Sequence, residues 1–389
     1  MDSRFQARIA PNVDAWVALR RDVHAHPELG FEEHRTQELV AKTLESYGLE
    51  VHRGLAKTGV VGVLRGAGAA SIAFRADIDC LPMTESGQVA HVSTHAGRMH
   101  ACGHDGHTAM LLGAAQTLAE HPPKGTVYFV FQPAEEGLGG GRVMVEEGLF
   151  RTFPADRVFA LHNWPELPAG TIGVRRGATM AATDRFEITL TGKGGHAAIP
   201  HLTKDPVVAA AALVSALQPL VSRCTDPLDS AVLSVTSIET SNPRAFNVVP
   251  EQARLLGTFR SLRPSTRQML RTRIPEVAQG VAQAFGVTAK VDLTAGYPAT
   301  VNDDAQADFA AMVAAKVVGA KNVRTDLPPS MAAEDFSYML EAKAGAYIWL
   351  GQGQPSHSAY LHTPGYDFND AVLPVGVALF VALAEEALG

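Results

Sequence analysis

Ser71-Ile72-Ala73-Phe74-Arg75 and Val127-Tyr128-Phe129-Val130-Phe131 are short β-branched and aromatic runs, and between them His107 to Ala119 has helical spacing. Strand, helix and strand in this order predict an α/β layer whose sheet is largely buried. Val60-Val61-Gly62-Val63-Leu64 adds a strand ahead of them. Upstream, Trp16, Leu19 and Val23, then Leu39, Val40, Thr43 and Leu44, recur at helical spacing between Val13 and Leu49.

Downstream the character changes near Ala181. Arg185-Phe186-Glu187-Ile188-Thr189-Leu190 alternates like a half-exposed strand, as do Ala231 to Ile238 and Ala253 to Ser261. Helical stretches at Val207 to Val221 and Thr266 to Phe285 separate them. Two helices on a small, mainly antiparallel sheet make an inserted α+β module. After Val291 a helix at Ala305 to Val318, the strand Ala346-Tyr347-Ile348-Trp349-Leu350 and a C-terminal helix restore the α/β pattern. The expected division is 1–181 with 292–389 as one domain and 182–291 as the insertion. A chain of 389 residues is long enough for two cores.

The formal net charge of -7 and a pI near 6.1 lack the basic surplus of a nucleic-acid-binding protein, so no such partner is expected. The start, Met1-Asp2-Ser3-Arg4-Phe5-Gln6, lacks the apolar stretch of a signal peptide. The longest apolar runs, Val207 to Leu217 and Val375 to Ala384, are shorter than a membrane span, and no membrane partner is expected. Cys80, Cys102 and Cys224 show no disulfide framework and fit a reducing, cytoplasmic setting in which a thiol is free to bind metal.

The chemistry concentrates in Met99-His100-Ala101-Cys102-Gly103-His104-Asp105-Gly106-His107, which opens a helix at the sheet edge. Open α/β sheets hold ligands beyond the carboxyl ends of their strands. Cys102 and His104 both reach one ion if the backbone is irregular, which Gly103 permits. Taken alone, the pair reads equally as a buried thiol beside a surface histidine. Glu135 and Glu136 follow the strand ending at Phe131; one carboxylate can bind a metal while the other faces water, or the pair is a solvated acidic turn. His162 ends the run Phe159-Ala160-Leu161, and His362 stands in Tyr360-Leu361-His362-Thr363-Pro364 after the last strand. Together Cys102, His104, Glu136, His162 and His362 exceed the three protein ligands of one catalytic zinc and suit two metals bridged by a shared ligand, a part a thiolate can play. His107 is expected to face the helix's other neighbours, and His201 and His357 have no expected partner.

Several motifs occur in order: Arg20-Arg21-Asp22-Val23-His24-Ala25-His26-Pro27-Glu28, Phe74-Arg75-Ala76-Asp77-Ile78-Asp79, His100-Ala101-Cys102-Gly103-His104-Asp105, Gln132-Pro133-Ala134-Glu135-Glu136, Leu161-His162-Asn163, Gly194-Gly195-His196-Ala197-Ala198-Ile199-Pro200-His201 and Ala333-Glu334-Asp335-Phe336. The chain thereby resembles the hippurate hydrolase branch of the aminoacylase and carboxypeptidase-like metallohydrolases, which includes auxin-conjugate amidohydrolases. The resemblance implies an aminopeptidase-like α/β/α catalytic domain with an inserted α+β lid. It implies hydrolysis of an N-acyl amino acid, with N-benzoyl, N-acetyl or indole-acyl groups as candidates. Dipeptidase or carboxypeptidase-type activity, a cysteine hydrolase using Cys102, and a non-catalytic binding protein are the alternatives. Arg75-Ala76-Asp77 stands where many relatives outside the branch carry His-x-Asp.

The resemblance makes Cys102 the bridge, with Glu136 and His362 completing one metal site and His104 and His162 the other. The ions are expected to be zinc, manganese, cobalt or nickel. Asp77 is expected to hold the tautomer of a ligand histidine. Glu135 is expected to be the general base that takes a proton from metal-activated water. His196 is implied as an oxyanion donor, often acting in a partner subunit, with Asn247 and Arg260 holding the substrate's carboxylate or carbonyl oxygen. A homodimer or higher homo-oligomer is expected, with the strand Arg185 to Leu190, or a helix beside it, extending the lid sheet between subunits.

Overall fold

The computed structural model describes residues 3–353 and 359–389, so His357 lies outside the described residues. The chain divides into two compact units. One comprises Met1–Thr179, Thr300–Pro328 and Asp335–Gly389, and the other Met180–Ala299 and Pro329–Glu334.

The first unit is built on an eight-stranded mixed sheet. Its strands run, in spatial order, Glu50–Leu55, Gly59–Leu64, Thr126–Gln132, Ser71–Asp77, Arg157–Pro168, Gly345–Gly353, Ile172–Gly173 and Val323–Arg324. The four strands from Thr126–Gln132 to Gly345–Gly353 are mutually parallel, so their carboxyl ends share one edge. Parallel strands need both faces covered. Among the helices of this unit, His104–Glu120 and Leu373–Leu388 bury most of their residues, and Val13–Ala25, His34–Ser46 and Asp304–Val318 each bury one stripe. Asp370–Leu388 is long and apolar enough to cross a membrane by composition, but most of it is buried in this core. The polar strand Glu50–Leu55 escapes a hydrophobic-pattern reading because it is an edge strand with no buried residue.

The second unit has a four-stranded antiparallel sheet ordered Ala231–Thr240, Gln252–Ser261, Ala182–Thr191 and Thr288–Ala295. The helices Pro206–Leu217 and Pro264–Phe285 cover it, enclosing Ile188, Leu190, Leu213, Leu255, Phe259 and Ile274. Two expectations need correction. A boundary after residue 291 would cut the strand Thr288–Ala295, whose ladder with Ala182–Thr191 continues to the pair Ala295 and Asp184. The segment Arg185 to Leu190 cannot extend the sheet between subunits, because it is paired on both sides. The open edges are Ala231–Thr240 and Thr288–Ala295.

A buried ionic group ties the helix Val13–Ala25 to the start of His104–Glu120. The Arg20 guanidinium donates to Asp105, Asp367 and Asp370, at 3.2, 3.0 and 2.8 Å. His24 Nδ1 donates to the same Asp105 oxygen at 2.8 Å, and His24 Nε2 lies 3.3 Å from Glu85. Burial opposes charge on His24, but the Asp105 carboxylate overrides it and raises the ring from 6.5 to about 9. The unfolded chain releases this proton near 6.5 and the folded chain near 9. The stability that His24 contributes is therefore whole below about 6.5 and is lost as pH rises through about 9. Urea midpoints measured across that window should fall more steeply for the native protein than for His24→Gln; parallel curves would contradict the assignment.

Candidate metal centre

The site lies where the parallel strands end. Asp77 is the last residue of Ser71–Asp77, Glu135 and Glu136 follow Thr126–Gln132, and His162 lies within Arg157–Pro168 opposite Trp349. Cys102 immediately precedes the turn into the helix that His104 begins. That turn requires Gly103. Its φ is 94°, and a Cβ there would stand 2.3 Å from Asn163 Oδ1 and 2.6 Å from the Tyr366 hydroxyl.

All the expected ligands come together. The ligand atoms of Cys102, His104 and Glu136 lie within 4.8 Å of one another. His162 Nε2 is 3.5 Å from Cys102 Sγ, His104 Nε2 is 4.0 Å from Glu136 Oε1, and His362 Nε2 is 3.3 Å from that same oxygen. His362 adopts a positive φ of 61°, uncommon for a residue with a side chain. Its backbone N–H donates to the Ala101 carbonyl, which draws the C-terminal loop onto the Cys102 segment.

The donor set fits metal ions. His104 Nδ1 donates to the Asp79 carbonyl at 2.9 Å and His162 Nδ1 to the Asn163 carbonyl at 2.8 Å, so both rings turn Nε2 toward the thiol and carboxylate group. His104 Nε2 and Glu136 Oε1 are buried without a hydrogen-bond partner. Buried polar atoms are normally hydrogen-bonded, and two that are not, set among a thiol and imidazoles, suit a cation site. Burial raises the Cys102 thiol to about 12, with Glu136 adding to the effect. This argues against a cysteine nucleophile; as a ligand, the thiol would give up its proton on binding metal. Burial holds His162 well below the ordinary imidazole range, with His107 adding to it. On His104 burial is outweighed by Asp77 and Cys102, which raise it.

Asp77 is fully buried, 2.5 Å from His107 Nδ1 and 3.5 Å from His104 Nε2. The expectation for His107 needs correction: its ring is 4.5 Å from that of His162, and its Nε2 is 2.6 Å from Asn163 Oδ1. The spacing from His104 held the signal, since residues three apart share a helix face. Arg75 likewise shares a strand face with Asp77, two residues on, and donates to it at 2.8 Å. Asp79 accepts the Glu136 backbone N–H at 3.0 Å, a contact that no sequence spacing announces.

His196, Asn247 and Arg260 belong to the second unit. His196 is exposed on the ribbon Gly195–His196, paired with Val248–Val249, and the Asn247 carbonyl accepts from Ala197. His196 Nδ1 accepts the Ala198 N–H at 3.1 Å, which puts the ring proton on Nε2. Arg260 is half-buried and donates to the Met331 carbonyl; no acidic side chain pairs with it among the described residues.

Hippurate hydrolase of Campylobacter jejuni is 41% identical over 367 residues, 94% of each chain. IAA-amino acid hydrolase ILR1-like 5 of Arabidopsis thaliana is 41% identical over 383 residues, 96% of this chain and 87% of its own. The solved YXEP protein of Bacillus subtilis, described as a dinuclear metal-binding peptidase of the M20 family, superposes with a TM-score of 0.84. It is 34% identical, over 100% of this chain and 99% of its own. Residues 73–386 match the family described as Peptidase family M20/M25/M40. With the centre above at its strand ends and these identities along its length, the chain belongs to the M20/M25/M40 peptidase family.

Proposed function

We propose that this protein is a metal-dependent amidohydrolase that cleaves N-acyl amino acids into a carboxylic acid and an amino acid. The observation that carries the reading is the convergence of Cys102, His104 Nε2 and Glu136 Oε1, the last two buried without a hydrogen-bond partner, beside Glu135. The names of the relatives, hydrolases of hippurate and of IAA-amino acids, supply the substrate class. N-benzoyl, N-acetyl and indole-acyl amino acids are the candidates. Cys102, Glu136 and His362 would hold one ion and Cys102, His104 and His162 the other; zinc, cobalt or nickel suit the thiolate and imidazoles, and manganese, also a candidate, is weaker for such ligands. Bound there, the ions supply Lewis acidity that polarises the amide carbonyl and acidifies water.

Glu135 takes a proton from water as its oxygen adds to the carbonyl carbon, then gives that proton to the departing nitrogen as the C–N bond breaks. His196, with its proton on Nε2, donates to the oxyanion, and Arg260 with Asn247 holds the substrate's carboxylate or carbonyl oxygen. The second unit acts as a lid in a homodimer or higher homo-oligomer. The exposed Val232 and Ile238 on the open edge strand Ala231–Thr240 support this assembly. Cys80, Cys102 and Cys224 are all free thiols, which supports a cytoplasmic enzyme.

Fully loaded protein should hold about two divalent ions per chain, chelation should abolish hydrolysis, and a divalent ion should restore it. Full activity in metal-free protein, lost on alkylation of Cys102, would refute this.

The two glutamates should separate cleanly. Glu135→Gln is expected to keep both ions and lose at least ~10²-fold in kcat, whereas Glu136→Gln should weaken one ion. Near-normal kcat in Glu135→Gln removes it as the base.

His196→Ala should lose ~10²–10³-fold in kcat with metals retained. If His196 acts across a dimer, mixing His196→Ala with Glu135→Gln chains should restore activity by pairing an intact catalytic unit with the other chain's intact lid. No recovery after verified subunit exchange would place its action within one chain.

A further inference from the structure

The base proposed above has a support that the ligand set does not explain. Glu135 is buried and follows Ala134, which adopts a positive φ of 56°. One of its carboxylate oxygens, Oε1, accepts the backbone N–H of Asp335 at 3.3 Å. Asp335 lies just ahead of the short helix Ser337–Ala342, in a segment with no strand ladder of its own to hold that N–H in place. Its side chain does so instead. The carboxylate is fully buried, and Oδ1 accepts from Arg75 Nη2 at 3.1 Å and Gln132 Nε2 at 2.7 Å. Oδ2 accepts from the Gly141 N–H at 2.7 Å. The absence of a side chain at Gly141 permits this approach, since a Cβ there would stand 2.9 Å from the Asp335 carbonyl oxygen.

Arg75 is the joint of the arrangement. Its Nε donates to Gln132 Oε1 at 2.8 Å and its Nη1 to Asp77 Oδ2 at 2.8 Å. One planar guanidinium thus binds the carboxylate that faces the ligand histidines and the carboxylate whose backbone anchors Glu135. A lysine would keep the charge and lose the fork.

We propose that Asp335, clamped by Arg75, Gln132 and the Gly141 amide, is a positioning residue that orients Glu135. The proposal rests on the reading of Glu135 as the base. A carboxylate that must meet first a water and then a leaving nitrogen needs a fixed direction, and a misplacement of about 1 Å can cost ~10²-fold in rate. A clamp serving only stability would instead act equally whatever stands at position 135.

Asp335→Asn keeps the size of the side chain and removes one acceptor and the charge. In the metal-loaded enzyme it is expected to lower kcat by ~10- to 10²-fold with KM changed less than about threefold and both ions retained. Placed in the Glu135→Gln background, it should cost no further kcat, because the group it orients is already disabled. Should Asp335→Asn fold poorly, Arg75→Lys is expected to show the same kcat-selective loss and the same lack of effect in Glu135→Gln. Wild-type kcat in Asp335→Asn, equal losses in both backgrounds, or loss of a metal ion would each overturn the proposal. If Glu135→Gln itself is near normal, the base assignment fails first. If Glu135→Gln is slow and Asp335→Asn is not, the positioning role alone fails.

Discussion

The Asp77 carboxylate sits at the end of a strand with no exposure to water, and much of the first unit is arranged around it. A buried carboxylate is tolerated only when paired and hydrogen-bonded, because its desolvation costs several kcal/mol. Burial here works against ionisation, yet Arg75, His104 and His107 hold Asp77 well below the usual carboxylate range. Its two oxygens face different partners. Oδ2 receives Arg75, and Oδ1 lies 2.5 Å from His107. From His107 the chain of contacts runs to Asn163 and on to the Tyr366 hydroxyl, 2.8 Å from Asn163 Nδ2. The hydrogen bonds around this ion pair, Arg75 to Gln132 and His107 to Asn163, join three of the central strands to the helix that carries His104.

This frame explains why the ligand atoms are aimed rather than merely close. Each of His104 and His162 commits Nδ1 to a backbone carbonyl, which decides the tautomer and the direction of Nε2. Asp79 contributes twice, through its carbonyl to His104 and through its carboxylate to the Glu136 backbone. The left-handed Gly103 lets the Cys102 segment turn into the helix against Asn163 and Tyr366. A side chain at that point would displace the amide that contacts His107.

The second unit follows a different logic. Its sheet is antiparallel and covered by helices on one side, so its strands alternate and its two outer edges remain unpaired within the unit. Edge strands with exposed apolar residues invite pairing with another chain. The central position of Ala182–Thr191 follows from pairing with two later segments, Gln252–Ser261 and Thr288–Ala295.

The sequence by itself determined most of the element types, the α/β and α+β division, and the candidate ligands Cys102, His104, Glu136, His162 and His362. These were legible because local apolar periodicity and turn residues are properties of neighbours in the chain. Only the tertiary structure decided which strand is central, where the inserted unit ends, and that His107 faces Asp77 instead of away from it. It also decided the partners of Arg75 and Asp335, which lie 260 residues apart in sequence. Strand order and buried ion pairs depend on which distant segments meet. A carboxylate and a guanidinium have the same local signature whether solvated or clamped in a core, and only burial tells them apart.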